Sequence, residues 1–151
     1  MKTFVTLILV SVCTVSFAQD GAMEGIDAYF MEPGYYDDLD MAKANPDSVF
    51  YLDLSLQSPK LREIPAVVYS FKNLKYLELA YNQIGAIDDG ISSLANLEVL
   101  GLNGNKYLKA VSANVYGLAN LKELHLNDTG LSSNQLDVVR NRLSDSCKLV
   151  R

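Results

Sequence analysis

Residues 74–105 read LKYLELAYNQIGAIDDGISSLANLEVLGLNGN and carry one pattern twice, LKYLELAYN at 74–82 and LEVLGLNGN at 97–105. Leu74, Leu77, Leu79 and Asn82 recur 23 positions later as Leu97, Leu100, Leu102 and Asn105, while most of the residues between them change. In an extended chain side chains alternate faces, so Leu77 and Leu79 share one side and Tyr76, Glu78 and Ala80 take the other. Self-similarity at such a period marks supersecondary units that cannot bury their apolar side alone and stack to do so.

The same unit extends in both directions. The copy beginning at Leu74 continues through Ile84, Ile87, Ile91 and Leu94. The copy beginning at Leu97 continues through Leu108, Val111, Val115 and Leu118, with one residue inserted near Lys106-Tyr107. A further copy opens at Leu121 and runs through Leu124, Leu126 and Leu131, with Thr129 in the asparagine position. Upstream, Val49, Leu52 and Leu54 are followed by Leu61, Ile64, Val68 and Phe71, with two extra residues in the loop that contains Pro59. A period of 23 from Leu124 and Leu126 reaches Cys147 and Leu149, which predicts a truncated fifth strand with Cys147 in an inward slot.

The recurring unit L-x-x-L-x-L-x-x-N-x-L is the leucine-rich repeat signature, and over about 47–150 the chain resembles small exported leucine-rich repeat proteins of bacteria. The resemblance implies an α/β solenoid of about four repeats plus the truncated fifth strand. A curved parallel sheet is expected on the concave side, turns or short helices on the convex side, and helical caps at both ends. Open-ended stacks need such caps. Tyr36 to Ala44 reads as a short helix with Asp37, Asp38 and Asp40 in its first turn, where acids suit the helix dipole, and Asn45-Pro46 ends it. Ser132 and Gln135 have capping-box spacing, and Leu136, Val139 and Leu143 then fall on one helical face. The division expected is a signal peptide at 1–18, a flexible lead at 19–34, an N-terminal helical cap at 35–46, repeats at 47–131, and a C-terminal cap helix with the last strand at 132–151.

The signal reading rests on Lys2, the apolar run from Phe4 to Val15, and the small residues Ser16 and Ala18 around Phe17. Val12 precedes Cys13 where a lipidated cysteine follows a small residue, so lipidation is not expected. Cleavage after Ala18 leaves 133 residues, 12 basic and 18 acidic, with a net charge of −6. A secreted, periplasmic or cell-surface chain of this charge lacks the basic face that nucleic acid or an anionic membrane needs. After cleavage the remaining apolar segments contain no membrane span. Cys147 becomes the single cysteine, so packing rather than an internal disulfide must hold the fold.

Strand parity then nominates the functional surface. Three outward columns are expected: Tyr51, Tyr76, Val99, Glu123, Ser146; then Asp53, Glu78, Gly101, His125, Lys148; then Ser55, Ala80, Asn103, Asn127, Val150. The N-terminal half shows Tyr51, Asp53, Tyr76 and Glu78, with Tyr81 at the rim; the C-terminal half shows Glu123, His125, Asp128 and Lys148. Val99 and Asn103 form the smaller surface between them. Tyrosines bury area while keeping a polar tip, which suits an interface; equally, they can simply cover neighbouring strand backbone. His125, the single histidine, has no well-placed Ser or Cys nucleophile and no recognised zinc-ligand spacing, so no catalytic residue, metal or cofactor is expected. The leading reading is a non-enzymatic, exported module that binds a protein or peptide carrying a basic element. The alternative is an envelope or surface structural protein, or a glycan binder.

Overall fold

The computed structural model describes residues 33–151; the signal peptide expected at 1–18 and the lead expected at 19–34, Pro33 and Gly34 apart, lie outside the described residues. Six short parallel strands lie side by side in chain order: β1 Tyr35–Tyr36, β2 Tyr51–Asp53, β3 Tyr76–Glu78, β4 Val99–Gly101, β5 Glu123–His125 and β6 Lys148–Val150. Each return path runs over the opposite side of the sheet. Of the three returns between β2 and β5, two carry 3₁₀ turns, Ala66–Ser70 and Asp89–Ser93, and the third carries the one-turn helix α2, Ala113–Tyr116.

The strict leucines form the core as strand parity requires. Leu52, Leu77, Leu100 and Leu124 are adjacent in register and fully buried, as are Leu79 and Leu102 one pleat further on. The return paths close this core from the other side with Val68, Ile91 and Val115, and with Phe71 and Leu94.

The two buried asparagines explain how a three-residue strand can end inside such a core. Once the chain turns, backbone groups near the turn lose their ladder partners, and leaving them buried and unpaired is costly. Asn105 Oδ1 accepts from Ile84 N at 2.9 Å, while its Nδ2 donates to Leu79 O at 3.0 Å and Leu102 O at 2.9 Å. Asn82 repeats this with Leu61 N, Leu54 O and Leu79 O. Each amide therefore joins its own repeat to the one before. Thr129, with a hydroxyl only, donates to Leu126 O at 2.9 Å within its own repeat. A second asparagine row runs along the convex side: Asn73, Asn96 and Asn120 donate to Asp47 O, Lys72 O and Ala95 O.

The caps differ in detail from expectation. The N-terminal helix α1 spans Leu39–Ala44 rather than starting at Tyr36, because Tyr35 and Tyr36 are strand residues paired with Tyr51 and Leu52. Asp38 is the N-cap and accepts from Met41 N, leaving only Asp40 in the first turn. At the other end Ser132 and Gln135 form the capping box and start α3, Ser133–Arg142. The last strand is offset by two residues from the expected register: Leu149, not Cys147, sits opposite Leu124. Cys147 is half-buried beside the core instead. Leucine buries more apolar area than a thiol, and both candidates satisfy strand parity, so packing decides between them.

Two substitutions test this account. Leu100→Ala should cost about 2–5 kcal/mol, the usual range for a buried leucine truncated to alanine. Asn105→Ala, which strands Ile84 N and takes one of two donors from Leu79 O and from Leu102 O, should cost about 1–3 kcal/mol, the usual penalty for a buried donor left unpaired. Urea unfolding of both variants measures the losses.

Candidate interaction face on the concave sheet

The register sets the concave surface. Its first column is Tyr35, Tyr51, Tyr76, Val99, Glu123 and Lys148; its second contains Asp53, Glu78, Gly101, His125 and Val150. Lys148 thus lies beside Glu123 rather than beside His125, and Ser146 leaves the sheet surface, both consequences of the two-residue offset in β6. Asn103 and Asn127 follow in the third column, where Asn103 Oδ1 accepts from Asn127 N at 3.0 Å.

The tyrosine column is longer than expected. Tyr35 joins it because β1 pairs with β2, and its ring centroid lies 5.0 Å from that of Tyr51. Tyr51 and Tyr76 stack at 5.5 Å with their planes 16° apart. The rings therefore turn their faces toward one another along the stack. Burial raises the Tyr35 phenol pKa, and the carboxylates of Asp53 and Asp37 add to the effect.

The acidic residues of the face are not equivalent. Asp53 Oδ1 accepts from Ser55 N at 2.8 Å, so part of this carboxylate holds its own turn. Glu78 instead lies across Gly101: a Cβ at Gly101 would overlap the Glu78 carboxylate. The missing side chain on β4 is what lets Glu78 lie down on the sheet. Burial is the main influence on its carboxyl and raises the pKa; the charge of His125 opposes this and that of Asp53 reinforces it. On β5, His125 Nε2 lies 2.7 Å from Glu123 Oε2, and this hydrogen bond holds the Glu123 carboxyl below its ordinary value. Glu78, His125 and Glu123 thus gather around Gly101 and Val99, although they come from separate repeats.

The rims complete the face. On the side where strands enter, Glu98 pairs with Lys75 and Lys122. On the side where they leave, Leu56, Tyr81, Gly104 and Asp128 occupy equivalent positions and all have positive φ. Gly104 takes this backbone without strain, whereas the other three incur a local cost. The turn places the exposed Tyr81 ring over Gly104 and leaves Leu56 and Asp128 exposed. Of the residues nominated from the sequence, Tyr51, Tyr76, Asp53, Glu78, Val99, Asn103, Glu123 and His125 share one continuous surface. Tyr81, Asp128 and Lys148 border it.

Of the residues that matter to the face, Tyr35 is not nominated by the sequence, and Gly101 is placed in an outward column without a role. Tyr35 falls outside the repeat period, and Gly101 has no side chain to attract notice. Cys147 contributes no activated nucleophile, because burial raises its thiol pKa and the Glu123 charge adds to the rise, whereas a reactive thiolate needs the reverse.

Residues 72–116, spanning the two strictest copies, match the sequence model of the family described as Leucine Rich repeats (2 copies). These residues are leucine-rich repeats, and the chain has the leucine-rich repeat fold. Among solved structures, it is similar to a leucine-rich repeat protein of Leptospira interrogans, with 25% identity and a TM-score of 0.65; the match covers 76% of this chain and 28% of the other. It is also similar in fold to an internalin of Listeria monocytogenes, with 18% identity, a TM-score of 0.58, and coverage of 76% and 31%. The chain spans less than a third of the length of either. No curated protein matches it in sequence. Among the described residues no helix is long and apolar enough to cross a membrane.

The position of Glu78 has a measurable consequence. Its folded pKa is raised, so the fold disfavours the ionised form; stability is lost as pH rises through that value and regained as pH falls through it. Glu78→Gln should therefore raise the thermal midpoint at pH 7. The advantage should shrink as pH falls below the raised value and vanish below the ordinary glutamate value of 4.5. Calorimetry of both proteins across this range checks the sign.

Proposed function

We propose that this leucine-rich repeat protein is an exported, non-enzymatic binding module whose concave face holds a protein or peptide with a basic element. Leucine-rich repeats serve as protein-interaction modules, which supports the class of function. The observation that carries the finer reading is the pairing of the aromatic column Tyr35–Tyr51–Tyr76 with Asp53 and Glu78 in the column beside it. Aromatic residues supply most of the contact energy at protein interfaces, and complementary charge sets the partner and the association rate.

The glycan-binding alternative fits this geometry less well. A sugar platform needs broad open aromatic faces, whereas here Tyr51 lies between Tyr35 and Tyr76, and Tyr76 is covered on its Tyr51 side. The apolar run and small residues at 4–18, together with the acidic charge of the remainder, support a secreted, periplasmic or cell-surface location.

The test is capture by the purified chain from Gln19 onward, followed by identification of the captured protein and binding measured with that protein purified. The double substitution Tyr76→Ala, Glu78→Ala should abolish binding while unfolding stays cooperative, because both side chains stand outside the leucine core. Added salt should weaken wild-type binding, as expected for a charged contact. Binding by the double variant equal to wild type would refute the concave site.

A further inference from the structure

The concave face has a step at its centre. Tyr76 and Glu123 belong to the same column but to β3 and β5, and only Val99 stands between them. Neighbouring strands are about 4.8 Å apart, so these two flanking residues are separated by roughly 10 Å across a short side chain. Tyr76 is covered by Tyr51 on one side, and the residue is 37% exposed. In the next column the same step recurs with Gly101 as its floor, and Glu78 lies over that floor from one side. From the other side Glu123 is oriented by its hydrogen bond to His125. The step thus has an aromatic wall, a small floor and carboxylates contributed from both flanks.

Resting on the reading of the concave face as the partner surface, we infer that this step receives an arginine side chain of the partner, stacked on the Tyr76 ring above Val99 and hydrogen-bonded to Glu78 and Glu123. The width suits one planar group lying against the ring. Guanidinium is planar, stacks on aromatic faces, and presents donors in a fixed fork that can serve two carboxylates at once. An ammonium matches the charge but neither the plane nor the fork. Of the nearby cations, Lys75 and Lys122 are paired with Glu98 on the rim, Lys148 stands beside Glu123 on the edge strand, and His125 Nε2 engages Glu123 Oε2, so the arginine is served by Glu123 Oε1 and the Glu78 carboxylate. Gly101 is needed as glycine here, since any side chain would displace Glu78 from the floor.

The probe is the blocked tripeptide acetyl-Gly-Arg-Gly-amide, titrated into isotope-labelled protein (Gln19 onward) and followed by amide chemical shifts. Its lysine, citrulline and norleucine analogues are titrated in parallel. Saturable shifts centred on Tyr76, Val99 and Gly101 are expected for arginine, with clearly weaker binding for lysine and none for citrulline or norleucine. Glu78→Gln and Tyr76→Leu should each weaken arginine binding by about tenfold, in line with the loss of a charge-assisted contact or of a cation–π partner, while the spectra show the fold intact. Equal responses to arginine and citrulline, shifts centred elsewhere, or arginine binding unchanged in Glu78→Gln would overturn the inference. The partner-binding measurement separates this from the broader reading. Loss of partner binding in the Tyr76, Glu78 double variant without an arginine response rejects the arginine site and keeps the concave face. An arginine response with partner binding unchanged in that variant supports the site and rejects the face as the partner surface.

Discussion

Every strand among the described residues is two or three residues long, so the chain must turn out of the sheet while still inside the core. That constraint is met by the buried amides of Asn82 and Asn105. Each serves one backbone N–H and at least two backbone carbonyls, and in both cases one of those carbonyls lies in the preceding repeat. Only a side chain with both a donor and an acceptor can do this from one position. The leucine rows depend on it: without the bridge, Leu79 and Leu102 could not be followed at once by a return path that buries Ile84 and Leu108. The convex asparagines Asn73, Asn96 and Asn120 repeat the device at the other edge, again one repeat to the next. Cohesion along the stack is therefore polar at the turns and apolar between them.

This separation of roles frees the concave face. Since neither the repeat leucines nor Asn82 and Asn105 point there, its composition can change from strand to strand without disturbing the core. The change from β3 to β4 has the largest physical effect. Tyr76 gives way to Val99 and Glu78 to Gly101, and the loss of a side chain at Gly101 lets the carboxylate from the neighbouring strand settle over the sheet. Burial then raises the Glu78 pKa, which means the protein maintains this arrangement at some cost to stability. A charged group held in an unfavourable place on a scaffold that does not need it is a common mark of a surface shaped by binding.

The central strands were legible because the repeated leucines specify both parity and register. Leu52, Leu77, Leu100 and Leu124 align as their spacing predicts. Legibility failed where the repeat failed. In β1, Tyr36 stands where the repeats place leucine, and only 16 residues separate it from Leu52, so no period points to it. In β6, Cys147 and Leu149 are two apart and obey the same parity; the true spacing from Leu124 is 25, lengthened by the path through α3. The positive-φ column at Leu56, Tyr81 and Asp128 was hidden for another reason. These residue types carry no common preference for that backbone, and only the turn geometry imposes it.

The same reasoning explains why outward residues could be nominated as a set but not as a site. Parity tells which side chains leave the core, yet it cannot tell how far a side chain leans toward a neighbouring strand. Glu78 reaches over Gly101 into the space before β5, and Glu123 is held by His125 within its own strand. Neither orientation follows from the one-dimensional order of residues; both follow from what the adjacent position lacks or offers. A glycine is nearly silent in a sequence read for chemistry, but on a stacked sheet its effect appears in the side chain next door. Gly101 organises the centre of the concave face through the place it leaves for Glu78.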